Sequence, residues 1–277
     1  MVRIVEELEQ QARLLRLTLV RMVGPGKPGH FGGSCSIADV VAALYFHKLR
    51  HHPEDPAWPD RDRFLLSKGH AAIVQYAALA LCGYFPREEL LSLKKLDAML
   101  QGHPDMRKTP GIEANTGSLG QGLSIACGMA AGLLRDGRDA RVYCVIGDGE
   151  LAEGQIWEAA MAASVYHLDN LVGILDCNRI QATGFTAERF DTGLLAEKWT
   201  AFGWNVLDID GHDMSQILDA LERADKRNGR PTLLLCRTVK GKGIPFAENT
   251  AQYHNGIMTP EQYEVACQLL EDPICVR

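Results

Sequence analysis

Five short apolar runs punctuate the chain: "RFLLS" (63–67), "RVYCVIG" (141–147), "LVGILDCN" (171–178), "NVLDID" (205–210) and "TLLLCRT" (232–238). Most are continuous rather than alternating, the pattern of parallel strands buried on both faces. Between them the apolar residues recur at helical spacing. That spacing predicts helices over 4–22, 36–49, 70–82, 118–134, 153–165, 213–227 and 260–270. "SIADVVAALYFHKL" opens with Ser36 as the expected cap, and "HDMSQILDALERA" carries Asp213 in its first turn. Strand and helix alternate, so the expected fold is α/β: a doubly wound parallel sheet flanked by helices. No internal repeat or low-complexity linker divides the chain, and a single domain over 1–277 is expected. Two long irregular stretches remain, 97–117 and 238–258. Loops of that length inside a compact domain are usually functional.

Composition narrows the classes. A 277-residue chain with 46% hydrophobic and 23% charged residues can bury a sizeable core. Its net charge of −6 comes with no basic run, which argues against nucleic acid and against an anionic membrane surface. The opening "MVRIVEELEQQARLLRLTLV" breaks its apolar residues with charges, so it reads as an amphipathic helix rather than a secretory signal. Within it, "QARLLRLTLVRM" reads as core packing. The longest apolar stretch, "GLSIACGMAAGLL", is too short to span a bilayer, which takes about 20 residues. Eight cysteines are scattered without a C-x-x-C, and Cys144, Cys177 and Cys236 sit inside strand-like runs. Buried free thiols in a cytoplasmic protein are the economical reading.

One glycine motif is a decoy. "GPGKPG" (24–29) matches G-x-G-x-x-G but follows a helix, and Pro25 and Pro28 interrupt it. The strand–turn–helix context of a dinucleotide site is missing. A second corner is more informative. In "VIGDGELAEGQIWEAA" (145–160) a buried strand ends at Gly147-Asp148-Gly149. Read alone, this is either a surface turn or a metal site facing an anion. The next strand ends in "DCNRI", with Asn178 at its carboxyl end. If the two strands are close neighbours in one parallel sheet, Asp148 and Asn178 emerge together at the edge where such sheets bind ligands. A carboxylate, an amide oxygen and a nearby backbone carbonyl suit Mg²⁺ or Ca²⁺, with phosphate and water completing the shell. The helix starting near Glu153 would aim its free N–H groups at the same anion.

GDG followed some thirty residues later by Asn is the signature of thiamin diphosphate enzymes. The segments "KPGHFGGSCSIADVVAALYFHKLR", "RDRFLLSKGHAA", "GHPD", "NTGSLGQGLSIACGMA", "GDGELAEGQIWEA", "DCNRIQATG" and "KGKGIPFAENTAQYHNG" occur in family order. Together they resemble the amino-terminal half of transketolase. The resemblance implies that Asp148, Asn178 and the carbonyl of Ile180 hold the divalent cation. It implies that Gly149, His70 and Lys240 meet the diphosphate, and that Gly117 and Leu119 offer backbone to the aminopyrimidine side. It places His30, His103 and His254 around the thiazolium and the sugar, and Glu153 in a carboxylate network across the subunit interface. Glu150 reads as a turn acid and Lys242 as a solvated loop charge. His47, His51, His52, His167 and His212 match no motif of the family and read as surface or helix-end residues.

Two positions depart from the family pattern: Phe31 stands where Pro is usual, and Gly33 where many relatives carry a Ser near the diphosphate. That contact is then either missing or supplied by Ser34. Full-length transketolases are about twice as long, and their second half carries the pyrimidine-binding residues. The resemblance therefore implies the diphosphate-binding subunit of a split transketolase, moving a two-carbon ketol unit from a ketose to an aldose. The partner would be a separate chain with the pyrimidine-binding domain, two copies of each, acting on sugar substrates. Two other readings share parts of the pattern: the α subunit of another thiamin diphosphate enzyme, and a non-catalytic binding subunit.

Overall fold

The computed structural model describes residues 2–271; the outermost residues of the 1–277 domain assignment lie outside the described residues. Five parallel strands form the central sheet: β1 (Arg63–Leu66), β2 (Val142–Gly147), β3 (Leu171–Cys177), β4 (Asn205–Asp210) and β5 (Thr232–Arg237). Their spatial order is β1-β2-β3-β5-β4, so β5 is inserted between β3 and the edge strand β4. All five apolar runs form strands, within a residue of the expected ends.

Among the described residues ten α-helices accompany the sheet. They are α1 (Val2–Val23), α2 (Phe31–Ser36), α3 (Ala38–Ala43), α4 (Ala72–Cys82), α5 (Gln121–Arg135), α6 (Gly154–Val165), α7 (Thr186–Arg189), α8 (Leu195–Ala201), α9 (Met214–Arg223) and α10 (Pro260–Glu271). The strands feed two cores by simple alternation. Tyr143 and Val145 of β2 point into one core with residues of α1, α3, α4, α9 and α10. Val142, Cys144 and Ile146 point into the other with residues of α5, α6 and α8. Period-2 geometry thus makes one apolar run serve both faces in β1, β2, β3 and β5, whereas the edge strand β4 is mostly half-buried or exposed and carries polar residues.

The helix expected over 36–49 is broken. It begins at Ala38 and ends in a wide π-helical turn over Leu44–Lys48, closed by the Leu49 amide on the Leu44 carbonyl at 2.8 Å. Ser36 does not cap it. Ser36 ends α2, and its hydroxyl donates to Asp176 Oδ2 at 2.6 Å. Asp213 does act as a cap, accepting from the amides of Ser215 (2.9 Å) and Gln216 (3.1 Å). "GPGKPG" is a turn leading from α1 into a two-residue ribbon, in which Pro28 and Gly29 pair antiparallel with Ile257 and Gly256. That ribbon brings the two distant segments carrying His30 and His254 side by side.

Because every strand of the sheet is parallel, β1, β2, β3 and β5 release their chains at one edge. Gly147 is opposite Asp176, and Asp176 opposite Cys236. Helix α5 closes over this edge at Gly122, where an added Cβ would fall 2.6 Å from the Ser67 Cα. In an ordinary helix interior Gly→Ala stabilises by about 1 kcal/mol. Here the sign is expected to reverse. Gly122→Ala should lower stability by about 1–3 kcal/mol through overpacking against backbone. Denaturant unfolding measures it; a gain in stability would show that α5 is not seated on the end of β1.

Candidate active site

The carboxyl edge of the sheet is organised by a residue that no sequence pattern singles out. Asp176, the penultimate residue of β3, is fully buried and accepts four hydrogen bonds. Lys68 Nζ approaches Oδ2 at 2.5 Å, Ser36 Oγ at 2.6 Å and Asn178 Nδ2 at 2.9 Å; Thr238 Oγ1 donates to Oδ1. Burial alone would raise the carboxyl pKa. The Lys68 ammonium, together with the hydrogen bonds from Ser36 and Thr238, more than offsets it and holds the group below the ordinary carboxylate range. Lys68, itself only 2% exposed, also donates to the Gly33 carbonyl at 2.6 Å. Three segments distant in sequence, carrying Ser36, Lys68 and Thr238, are pinned to one carboxylate.

Above it lies a cavity of about 160 Å³. Gly33, Lys68, His70, Leu119, Asp148 and Gly149 line one part, and Asn178, Ile180, Lys240 and His254 another. Asp148 and Asn178 do emerge from adjacent strands onto this cavity. Asp148 accepts the Gly149 amide at 2.7 Å and the Arg179 amide, leaving carboxylate lone pairs free. Its pKa is pushed up to about 6, first by burial and then by the nearby charge of Asp176. Positive charge is what this position lacks. The Ile180 carbonyl already receives some, from Lys240 Nζ at 2.7 Å. Asn178 Oδ1 is fixed by the Ile180 amide at 3.1 Å.

Among the described residues no group of three or more His, Cys, Asp or Glu side chains is arranged to hold a metal. The oxygens of Asp148, Asn178 and Ile180 can still hold a hard divalent cation, provided that an anion arrives with it. The cavity offers that anion two buried ammonium groups. Lys240 is lowered to about 8, chiefly by burial and by Lys68. Gly149 has a steric reason to be glycine, since a Cβ there would approach Gln181 Cβ to 2.9 Å. The first turn of α6 does not line the cavity, contrary to expectation. A 3₁₀ turn over Asp148–Ala152 intervenes, so that Gly149 rather than the α6 terminus faces the site.

Four histidines cluster at the mouth. The ring centroids of His70 and His254 are 4.9 Å apart, those of His30 and His70 5.3 Å, of His30 and His254 5.6 Å, and of His30 and His103 6.5 Å. Burial, aided by neighbouring cations, pushes His30 and His254 down to about 4 and His70 to about 2. These three rings are uncharged near neutrality. His254 Nδ1 meets Lys240 Nζ at 3.0 Å, whereas His103 is exposed on the irregular 97–117 stretch. A Cβ on Gly117 would come within 2.6 Å of the His103 ring, and Gly117 has φ +140°. Only glycine lets those two loops meet there. Glu153 is exposed at the start of α6, and its side chain makes no capping bond there.

Three expectations need correction. Glu150 is no turn acid: it is 2% exposed and accepts from Ser67 Oγ (2.5 Å), the Gly120 amide (2.8 Å) and the Gly147 amide (3.1 Å). Two of its partners are distant in sequence, so the turn chemistry of GDGE hides the role. Ser34 does not replace a side chain at Gly33, because its hydroxyl is turned to the carbonyls of His30 (2.7 Å) and Ala71 (3.3 Å). His212 is not a surface residue; its ring is held between Asp39 Oδ2 (2.7 Å) and the Val239 amide (2.8 Å). A larger cleft of about 790 Å³ lies between 185–197 and the end of β5. It shares only Asp148 with the cavity and lacks its converging amides and ammonium groups.

Fold and cavity together define a class: a parallel α/β protein with a polar cavity, lined by Asp148, Asn178, Lys68 and Lys240, at the carboxyl edge of its sheet. The family profile described as "Transketolase, thiamine diphosphate binding domain" matches residues 6–268. The chain is 46% identical over 265 residues to the 6-deoxy-6-sulfo-D-fructose transketolase subunit of Clostridium sp. (strain MSTE9), covering 96% of each. It is 43% identical over 270 residues to an apulose-4-phosphate transketolase subunit of Phocaeicola vulgatus, covering 98% of this chain and 96% of that one. The solved transketolase of Campylobacter jejuni superimposes with a TM-score of 0.90 at 35% identity, over 96% of this chain and 43% of that chain. The chain belongs to the transketolase family. It spans less than half the length of that solved enzyme and nearly all of the two subunits.

Removing Glu150 would leave a buried amide (Gly120), a half-buried amide (Gly147) and the buried Ser67 hydroxyl without their acceptor, each worth about 1–3 kcal/mol when buried. Glu150→Ala is therefore expected to cost several kcal/mol in denaturant unfolding, and Glu150→Gln less. A loss under about 1 kcal/mol would contradict the assigned role.

Proposed function

We propose that this chain is the diphosphate-binding subunit of a two-component transketolase, which transfers a two-carbon ketol unit from a ketose to an aldose. Residues 1–277 form one diphosphate-binding domain in this reading. The observation that carries it is the cavity where Asp148, Asn178 and Ile180 converge with His70 and Lys240, in a chain that matches transketolase subunits end to end. Asp148, Asn178 Oδ1 and the Ile180 carbonyl would hold Mg²⁺ or Ca²⁺. The Lys240 ammonium on that carbonyl marks the position as one that takes positive charge. Gly149, His70 and Lys240 would meet the diphosphate, and Gly117 and Leu119 the aminopyrimidine side. When bound, thiamin diphosphate supplies the carbanion chemistry.

The residues of this chain do the rest. Asp148 and the two buried lysines fix the charged end of the ligand. His30 and His254, held uncharged, can take or give a proton at the sugar oxygen that gains or loses charge. His103, on the outer loop, faces the sugar. Glu153 joins a carboxylate network with the partner, which supplies the pyrimidine-binding domain. Two copies of each chain complete the assembly, in keeping with relatives named as subunits and with solved enzymes more than twice this length. The substrates are sugars bearing a phosphate or another anionic group. The seven described cysteines are all free, which supports a cytoplasmic setting. Among the described residues no helix is long and apolar enough to cross a membrane.

The test is a ketol-transfer assay on the purified chain, on the chain mixed with a pyrimidine-domain partner, and on that mixture carrying Asp148→Ala. Turnover should appear only in the wild-type mixture, and thiamin diphosphate with Mg²⁺ should bind measurably only there. Robust turnover by the chain alone overturns the two-component reading. Full activity with Asp148→Ala overturns the cation assignment.

A further inference from the structure

The segment that leaves β5 carries two groups of the site on alternate residues. Thr238 Oγ1 donates to Asp176, and Lys240 Nζ reaches the Ile180 carbonyl. Between them is Val239, whose amide points away from the cavity to His212 Nε2 at 2.8 Å. His212 does not line the cavity. It sits in the turn between β4 and α9, and its other ring nitrogen lies 2.7 Å from Asp39 Oδ2. Asp39, on α3, is gripped in turn by the α1 residue Arg16, through Nη1 at 3.0 Å and Nη2 at 2.5 Å. Arg16 also donates to the Cys35 carbonyl at 3.0 Å. The pair is nearly inaccessible, with 7% of each residue exposed.

Chemistry sets the direction of this chain. A backbone amide can only donate, so Nε2 is the acceptor and Nδ1 carries the proton given to Asp39. A carboxylate holding one imidazole N–H so that the other nitrogen accepts is a means of fixing a ring and its tautomer. Asp39 suits the task. Burial would raise its carboxyl pKa, but Arg16 and then His212 bring it down to about 2. The relay runs from α1 through α3 and the β4–α9 turn to the backbone between Thr238 and Lys240.

We propose that His212 is a positioning residue for the diphosphate site: through the Val239 amide it sets the path of residues 238–240, and so the placement of Lys240. This rests on the assignment of Lys240 to the diphosphate made above. His212 would touch neither ligand nor reacting atoms. Its effect is carried by a single hydrogen bond, worth about 0.5–1.5 kcal/mol, or up to roughly tenfold in an equilibrium.

Two substitutions separate positioning from plain stability. In His212→Asn the amide nitrogen can still donate to Asp39, but nothing reaches the Val239 amide. In His212→Gln the longer side chain can place its oxygen at the Nε2 position. The first readout is amide hydrogen exchange at Val239 in the full chain without cofactor. The second is titration of thiamin diphosphate, with Mg²⁺, into the chain assembled with its partner. His212→Asn should speed exchange at Val239 and weaken cofactor affinity, each by about tenfold, while kcat at saturating cofactor stays within about twofold. His212→Gln should restore both to within about threefold. Wild-type exchange and affinity in His212→Asn, or no recovery in His212→Gln, would overturn the proposal. If the wild-type assembly binds no thiamin diphosphate, the functional assignment fails, and the exchange at Val239 still decides whether His212 sets this segment.

Discussion

A fully buried carboxylate at the end of β3 holds the site together. Asp176 sits where four segments leave the sheet, and it satisfies a lysine, two hydroxyls and an amide. Burying the Lys68–Asp176 pair costs desolvation on both sides, which is recovered only when every lone pair and proton finds a partner. Here that condition brings Ser36 of α2, Lys68 after β1, Asn178 after β3 and Thr238 after β5 into one cluster. The same contacts orient the Asn178 amide and start the segment that carries Lys240.

Charge is distributed over the site in a way that suits an anion arriving with a cation. Asp148 is buried beside Asp176 and resists ionisation, so it gains when positive charge comes close. Lys68 and Lys240 line the same cavity, and His30, His70 and His254 are kept uncharged by burial. Uncharged rings leave the net positive potential to the lysines and remain free to exchange protons. Glu150, one residue beyond Gly149, has a different task. It ties Gly120, Ser67 and Gly147 together and so fixes the floor under Asp148.

Much of this is legible in the residues. Continuous apolar runs locate β1, β2, β3 and β5, because a strand buried on both faces has no polar side to confuse the pattern; the edge strand β4, with Asn205, Asp208 and Asp210, is the more polar exception. Asp148 and Asn178 stand out because each follows such a run, and parallel neighbours must release them at one edge. Asp176 and Lys68 leave a fainter signal: a lone acid inside "LVGILDCN" and a lysine right after "RFLLS". What identifies them is their pairing, across 108 residues, which no local spacing reports. Ser36 looks like a cap because Ser before an apolar run usually is one; tertiary contact with Asp176 takes its hydroxyl instead. His212 is hidden for the same reason, since Asp39 lies 173 residues away.

That Asp176 builds the ligand site is tested most directly by titrating thiamin diphosphate, with Mg²⁺ present, into wild-type and Asp176→Asn assemblies of this chain with its partner. A thermal transition for each would establish that both are folded. Asparagine keeps the shape but leaves Lys68 without its counter-charge, so the lysine no longer has a fixed place. A folded Asp176→Asn assembly is expected to bind at least about tenfold more weakly, the loss of roughly one charge-assisted hydrogen bond. Wild-type affinity in the folded variant would contradict the central place given to Asp176.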